Sequence, residues 1–183
     1  MTFDSLNVAA TGTNYAMACH LWNSANNNVF KNCSFTTPIF ANTNIIPVSL
    51  SNASNSYYSG SGNGGNNNVW NNCLVTGGYF GFTFYGDPTY PYSIANQVLN
   101  CKIMDFVYFG IYNAYHSSYI FKGNIIGDRP NASANTYYGI YCATGSINGV
   151  IDGNKLKSGF NGMQPNVNTA VGIYMVTSAF FGQ

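Results

Sequence analysis

Two short patterns recur along the 183-residue chain with one shared period, and a repeat of about thirty residues constrains the fold before any single motif does. The first pattern is clearest at residues 80–84 (FGFTF), 109–113 (FGIYN), 138–142 (YGIYC) and 171–175 (VGIYM), and residues 15–19 (YAMAC) and 46–50 (IPVSL) join it more loosely. At its second position (Ala16, Pro47, Gly81, Gly110, Gly139, Gly172) the spacings are 31, 34, 29, 29 and 33 residues. The second pattern lies between the copies of the first, at 3–8 (FDSLNV), 30–35 (FKNCSF), 70–75 (WNNCLV), 98–103 (VLNCKI), 121–126 (FKGNII) and 151–156 (IDGNKL). Two interleaved columns with one period describe one coil per repeat, hence about six coils.

Within the first pattern apolar residues alternate, so Met17, Val48, Phe82, Ile111, Ile140 and Ile173 are expected on one face with Cys19, Leu50, Phe84, Asn113, Cys142 and Met175. A period of two is that of a strand. In the second pattern the third position is Ser5, Asn32, Asn72, Asn100, Gly123 and Gly153. After the first coil it is always Asn or Gly, the residues that enter left-handed backbone most cheaply, so the chain bends there. Just inside the bend stand Leu6, Cys33, Cys73, Cys101, Asn124 and Asn154, and two residues on come Val8, Phe35, Val75, Ile103, Ile126 and Leu156. Strand, bend, strand is the reading. Equivalent strands of successive coils must lie parallel, and crossovers between parallel strands are almost always right-handed. The sequence therefore predicts an all-β, right-handed parallel β-helix, a single-chain solenoid occupying residues 1–183 as one domain or as a segment of a longer solenoid.

These columns resemble the repeat of the right-handed parallel β-helix proteins of the pectate-lyase-like superfamily. That repeat has an apolar strand, Asn or Gly at a bend with a stacked inward Asn, and a Gly-Ile-Tyr type strand. The resemblance covers nearly the whole chain and implies fold rather than activity, because the superfamily holds lyases, hydrolases, tailspikes, adhesins and long surface proteins without enzymatic activity. In composition the chain is similar to the long secreted β-helix proteins of Bacteroidetes.

Composition narrows the function. Charged residues are 6% of the chain, against roughly a quarter in an ordinary soluble domain. All five acids are Asp, and the net charge is +1. Neutral Asn, Ser, Thr, Gly and Tyr must wet the surface, and no basic stripe offers attraction to nucleic acid or to an anionic membrane. No run of eighteen apolar residues predicts membrane insertion, and residues 1–10 lack the pattern of a signal peptide. With 28 Phe and Tyr and two Trp the chain is expected to fold rather than remain disordered.

Candidate chemistry is sparse. Cys33, Cys73 and Cys101 share a column at a spacing of about 4.8 Å. Side chains stacked in register point the same way, so a ladder of buried, reduced thiols is expected rather than a disulfide. Asp105 and Asp128 each stand two residues beyond the last apolar position of a strand, on adjacent coils, with Arg129 alongside. Such a pair suits Ca²⁺ binding or acid and base work, and the alternative is two solvated corner residues balanced by one Arg. His20 and His116, at a strand end and in a short loop, fall on distant coils and make no triad with Ser and Asp. Between the inward positions the outward column reads Ala18, Ser49, Thr83, Tyr112, Tyr141 and Tyr174. Its three stacked Tyr are the candidate ligand-binding residues, suited to sugar rings or a partner's apolar patch, the alternative being a ladder that only stabilises the sheet. Asn32, Asn52 and Asn131 fit the N-glycosylation pattern, and residues 4–6 (DSL) resemble an O-glycosylation site.

Two functions follow as expectations. One is a structural or adhesive segment of an extracellular or cell-surface protein, its partners being further coils of the same protein or other copies stacked end to end as a filament. Only Asp4 among residues 1–14, and none among 171–183, is charged, so no guard against such stacking is evident. The other is a polysaccharide-binding or polysaccharide-cleaving domain. Neither requires a cofactor, apart from Ca²⁺ at the aspartates.

Overall fold

The computed structural model describes residues 1–53, 56, 64–89, 92–127, 136–157 and 169–176. All the regular structure among them is β. The first coil holds β1 (Thr2–Asp4), β2 (Asn7–Ala9) and β3 (Ala16–Leu21), and the second β4 (Val29–Lys31), β5 (Ser34–Thr36) and β6 (Ile45–Leu50). The third holds β7 (Val69–Asn71), β8 (Leu74–Thr76), β9 (Phe80–Tyr85) and the short β10 (Ser93–Ile94). The fourth follows with β11 (Gln97–Leu99), β12 (Lys102–Met104), β13 (Phe109–Ala114) and β14 (His116–Ser117). The fifth has β15 (Ile120–Lys122), β16 (Ile125–Ile126), β17 (Thr136–Cys142) and β18 (Ser146–Ile147). The sixth ends the described chain with β19 (Val150–Asp152), β20 (Lys155–Leu156) and β21 (Thr169–Met175).

Equivalent strands stack in parallel. One sheet orders β1-β4-β7-β11-β15-β19, a second β2-β5-β8-β12-β16-β20, and a third β3-β6-β9-β13-β17-β21. The molecule is thus a parallel β-solenoid, six strands deep in each main sheet, which is five turns from the first copy of a strand to the last. A three-stranded sheet, β10-β14-β18, forms an extra side along the later coils. Its two-residue strands carry too little alternation to be seen in a sequence.

The bend between the first two strands of every coil lies at the third position of the second pattern. Ser5, Asn32, Asn72 and Asn100 have φ of 56°, 53°, 56° and 53°, and Gly123 and Gly153 have 68° and 61°. A short polar side chain bonded locally makes that left-handed conformation tolerable. Here the Asn amides also bond between coils: Asn32 Nδ2 donates to Asp4 Oδ1 at 2.9 Å and Asn72 Nδ2 to Asn32 Oδ1 at 2.8 Å.

Side chains of like kind stack inside. Phe3, Phe30 and Trp70 lie face on face at 4.9 and 5.4 Å, and Trp70, Phe82, Phe84 and Phe121 are fully buried. Burying each such ring stabilises the fold by about 1.5–3 kcal/mol, by removing apolar surface from water. The long strands pair in the predicted register from the second coil onward, but β3 is shifted by two residues. Cys19 pairs with Val48 and Leu21 with Leu50, which sets Met17 beside Ile46 on the outer face. Slipping a strand by two residues preserves its alternation, so the hydrophobic pattern of residues 15–19, with no Gly to mark it, does not fix the register.

The glycine column has a steric cause. A Cβ on Gly81, Gly110 or Gly139 would stand 2.7, 2.5 or 2.6 Å from the carbonyl oxygen of the next coil's glycine, and on Gly81 also 2.5 Å from Ile103 Cγ2. The strand approaches its neighbour and the core too closely there for any side chain.

Candidate binding face

The outer surface of the long-strand sheet is where the candidate ligand-binding tyrosines lie. Strand pairing joins His20, Ser49, Thr83, Tyr112, Tyr141 and Tyr174 into one outward column. His20 replaces the expected Ala18 as its first member, a consequence of the shift in β3. Tyr112 and Tyr141 stack at 5.6 Å with planes 11° apart, and Tyr141 and Tyr174 at 5.0 Å and 18°. A second ladder runs beside the first: Phe80 on Phe109 at 5.2 Å, and Phe109 on Tyr138 at 5.1 Å. The ladders meet edge to face, Phe109 against Tyr141 at 4.8 Å and Tyr138 against Tyr174 at 5.6 Å. This is the geometry the ring quadrupole favours, worth about 0.5–1.5 kcal/mol per pair.

Stacking determines what the face can do. Rings in a ladder turn their faces to each other along the solenoid axis and present their edges and hydroxyls to water. A sugar ring packs on a free aromatic face, and among the described residues no further ring stacks on the outer face of Tyr174, which is 41% exposed. Burial raises the pKa of Tyr141 above its ordinary value, so its hydroxyl remains a neutral donor and acceptor.

The remaining candidates do not converge on this face. Asp105 sits at the turn after β12 with φ 53°, and it is 7% exposed rather than solvated. Asp128 and Arg129 lie outside the described residues, as does Asn131, so the acidic pair has no described geometry. Among the described residues no group of three His, Cys, Asp or Glu is placed to hold a metal ion. His20 Nε2 lies 3.0 Å from Ser51 Oγ. Ser51 Oγ donates its own proton to Ser56 O at 2.6 Å, so the hydroxyl accepts from the imidazole. A serine held that way is not primed as a nucleophile.

His116, expected in a loop, is fully buried in β14 at the end of a ladder that the sequence reading missed. Asn28 N and Nδ2 donate to Asn68 Oδ1 at 2.9 and 3.0 Å, and Asn68 N and Nδ2 donate to Asn96 Oδ1 at 2.8 and 2.9 Å. Asn96 Nδ2 donates to Gly65 O at 2.9 Å and meets His116 Nε2 at 2.6 Å. An amide nitrogen only donates, so Nε2 accepts and the neutral ring carries its proton on Nδ1. Burial pushes the His116 pKa down to about 3. The role is architectural.

All five cysteines are buried free thiols. Desolvation raises the pKa of Cys19 to about 12 and also raises Cys33, Cys101 and Cys142. Cys73 is lowered by its hydrogen bond with the Cys101 thiol.

Fold and face together define a class, a parallel β-solenoid with a double aromatic ladder on one flank. Comparison of the chain with protein-family models, with curated proteins and with solved structures returned no match.

Proposed function

We propose that this chain serves as a structural segment of an extracellular or cell-surface β-helix protein, of the kind found among non-enzymatic members of the pectate-lyase-like superfamily and in Bacteroidetes surface proteins. The observation that carries the reading is the state of the last described coil. Ile173 and Met175 occupy core columns, continuing Ile140 and Cys142, yet are 47% and 57% exposed. Apolar core positions and a strand edge that no described residue covers favour a further coil stacked upon them. Protein isolated from its source at native length should image as a rod longer than the roughly 24 Å that five turns span. A particle no longer than that, with the edge of β21 accessible to solvent, would overturn the reading.

The double ladder favours a second reading, a glycan-binding flank. Replacing Tyr112, Tyr141 and Tyr174 together by Ala should abolish glycan retention, whereas Tyr174→Ala alone uncovers the face of Tyr141 stacked beneath it and should only weaken retention. Retention unchanged in both variants would return the ladder to a packing role.

A further inference from the structure

The two outer edges of the described solenoid differ in what they ask of a neighbour. One outward column runs Asp4, Lys31, Asn71, Leu99, Lys122, Asp152 through the first sheet. At each end an aspartate is outermost with a lysine one coil inside it. Lys122 Nζ and Asp152 Oδ2 are 2.9 Å apart, and Asp4 lies in register with Lys31, its pKa lowered chiefly by the Asn32 hydrogen bond and also by the Lys31 charge. A second copy stacked in register on β19–β21 would set its Asp4 directly over Asp152. Like charges opposite each other across strands repel. Lys155, a basic side chain on that edge, belongs to the next sheet, in the column that contains Asn7.

The inner polar ladder gives an independent second mismatch. Each coil's backbone N–H at this position is accepted by the side chain one coil above: Cys101 N by Asn124 Oδ1 at 2.8 Å, and Asn124 N by Asn154 Oδ1 at 2.9 Å. A second copy would place Leu6 over Asn154, and a leucine side chain accepts nothing. The apolar columns do not discriminate, since Ile173 and Met175 would meet Cys19 and Leu21.

We infer that the upper edge is built to receive a parallel β-coil with a basic residue over Asp152 and an asparagine over Asn154, and that these two positions refuse a second copy in register. The inference rests on the segment reading and names the chemistry of the neighbour. The chain itself supplies the probe. Asp4→Lys with Leu6→Asn converts the lower edge into the matching one, and both positions are exposed. By sedimentation and electron microscopy at low salt, the wild-type chain should remain monomeric. The double variant should form end-to-end rods with an association constant at least about tenfold higher, and adding Asp152→Lys should reverse the gain. The rods should weaken in about 1 M salt, where the Debye length falls to about 3 Å. Should the double variant lose its β circular dichroism, Asp152→Lys with Asp4 kept tests the charge position by itself, setting a cation beneath the incoming Asp4, with Leu6→Asn as its partner for the second position. Wild-type chains that stack as readily as the variant would overturn the gate while leaving the segment reading intact. Matched edges that stay monomeric would show that this edge receives no such coil.

Discussion

Cys101 and Asn124, one coil apart in the same inner column, make the same two hydrogen bonds with different atoms. Asn124 Nδ2 donates to Val98 O at 2.9 Å, and the one Cys101 Sγ proton is shared between the equivalent carbonyl one coil below, Trp70 O at 3.5 Å, and Leu99 O at 3.3 Å. Asn124 Oδ1 accepts the N–H of Cys101 at 2.8 Å, and Cys101 Sγ accepts the N–H of Cys73 at 3.4 Å. The thiol stands in for the amide with longer, weaker bonds; Cys73 Sγ faces Phe30 O at 3.5 Å and Asn71 O at 3.6 Å, and the Cys33 thiol turns mainly to Lys31 O at 3.1 Å, with Phe3 O at 3.7 Å.

Cys101→Asn should therefore be neutral or stabilising by up to about 1 kcal/mol, because an amide of similar volume makes the same contacts more strongly. Asn124→Ala should cost about 2–4 kcal/mol, since it strands the Cys101 N–H and the Val98 carbonyl in the core. Urea unfolding midpoints measure both, and a destabilised Cys101→Asn would show that the thiols are retained for their shape.

The same ladder governs thiol chemistry. Native protein should leave Cys33, Cys73 and Cys101 unreactive to an aromatic disulfide reagent, since even Cys73 is 2% exposed. Unreduced protein in denaturant should then release five equivalents; fewer would reveal a disulfide.

The solenoid was legible because its two columns repeat with their punctuation: the bend residues all take positive φ, and the long strands appear at each of the six expected places. What escaped was whatever broke the repeat or lacked an apolar signal. Asn28, Asn68 and Asn96 each stand two residues before Phe30, Trp70 and Val98, a polar column as regular as the cysteine one. The reading followed apolar periodicity, and polar ladders have none. In later coils the column changes to Tyr119 and Gly149, where a Cβ on Gly149 would overlap the Tyr119 ring. The tyrosine column was legible by alternation, but the direction of its ring faces was not, because a register places Cα atoms and leaves ring planes open.

His116 predicts an acid-labile core. Its pKa is about 3 in the folded state against an ordinary 6.5, so the unfolded ring takes up a proton that the folded ring refuses. The stability at stake is complete above pH 6.5 and is lost as pH falls from 6.5 toward 3, up to about 5 kcal/mol at 1.36 kcal/mol per unit. His20, also lowered by burial, adds to the loss with the same sign. Asp4 and Asp152, both lowered, act below their ordinary 3.8 and so outside the window from pH 6.5 to 4 in which the histidines act. In that window His116→Gln, which keeps an acceptor for Asn96 and does not titrate, should flatten the dependence of the urea midpoint on pH. A slope equal to wild type would remove His116 as its cause.

Gly110 and Gly172 occupy the same column and should respond differently to one methyl group. At Gly110 the added Cβ would lie 2.5 Å from the Gly139 carbonyl oxygen and against Ile126 Cγ2 and the Phe106 ring, and neither the backbone nor the buried branched side chain has room to yield. Gly110→Ala should cost about 3 kcal/mol or prevent folding, as overpacking in a closed core does. At Gly172 the nearest atom is Leu156 Cδ1 at 3.1 Å, the far end of a flexible side chain at the edge of the stack. Gly172→Ala should cost less than about 1 kcal/mol in the isolated chain. Once another coil pairs with β21, however, its backbone would bring a carbonyl oxygen over Gly172 as Gly139 O stands over Gly110. The methyl group should then block the junction. Gly172→Ala added to the Asp4→Lys and Leu6→Asn variant should abolish rod formation while leaving the thermal midpoint of the monomer nearly unchanged. Rods that persist would mean that the edges meet out of the register that joins every coil within the chain.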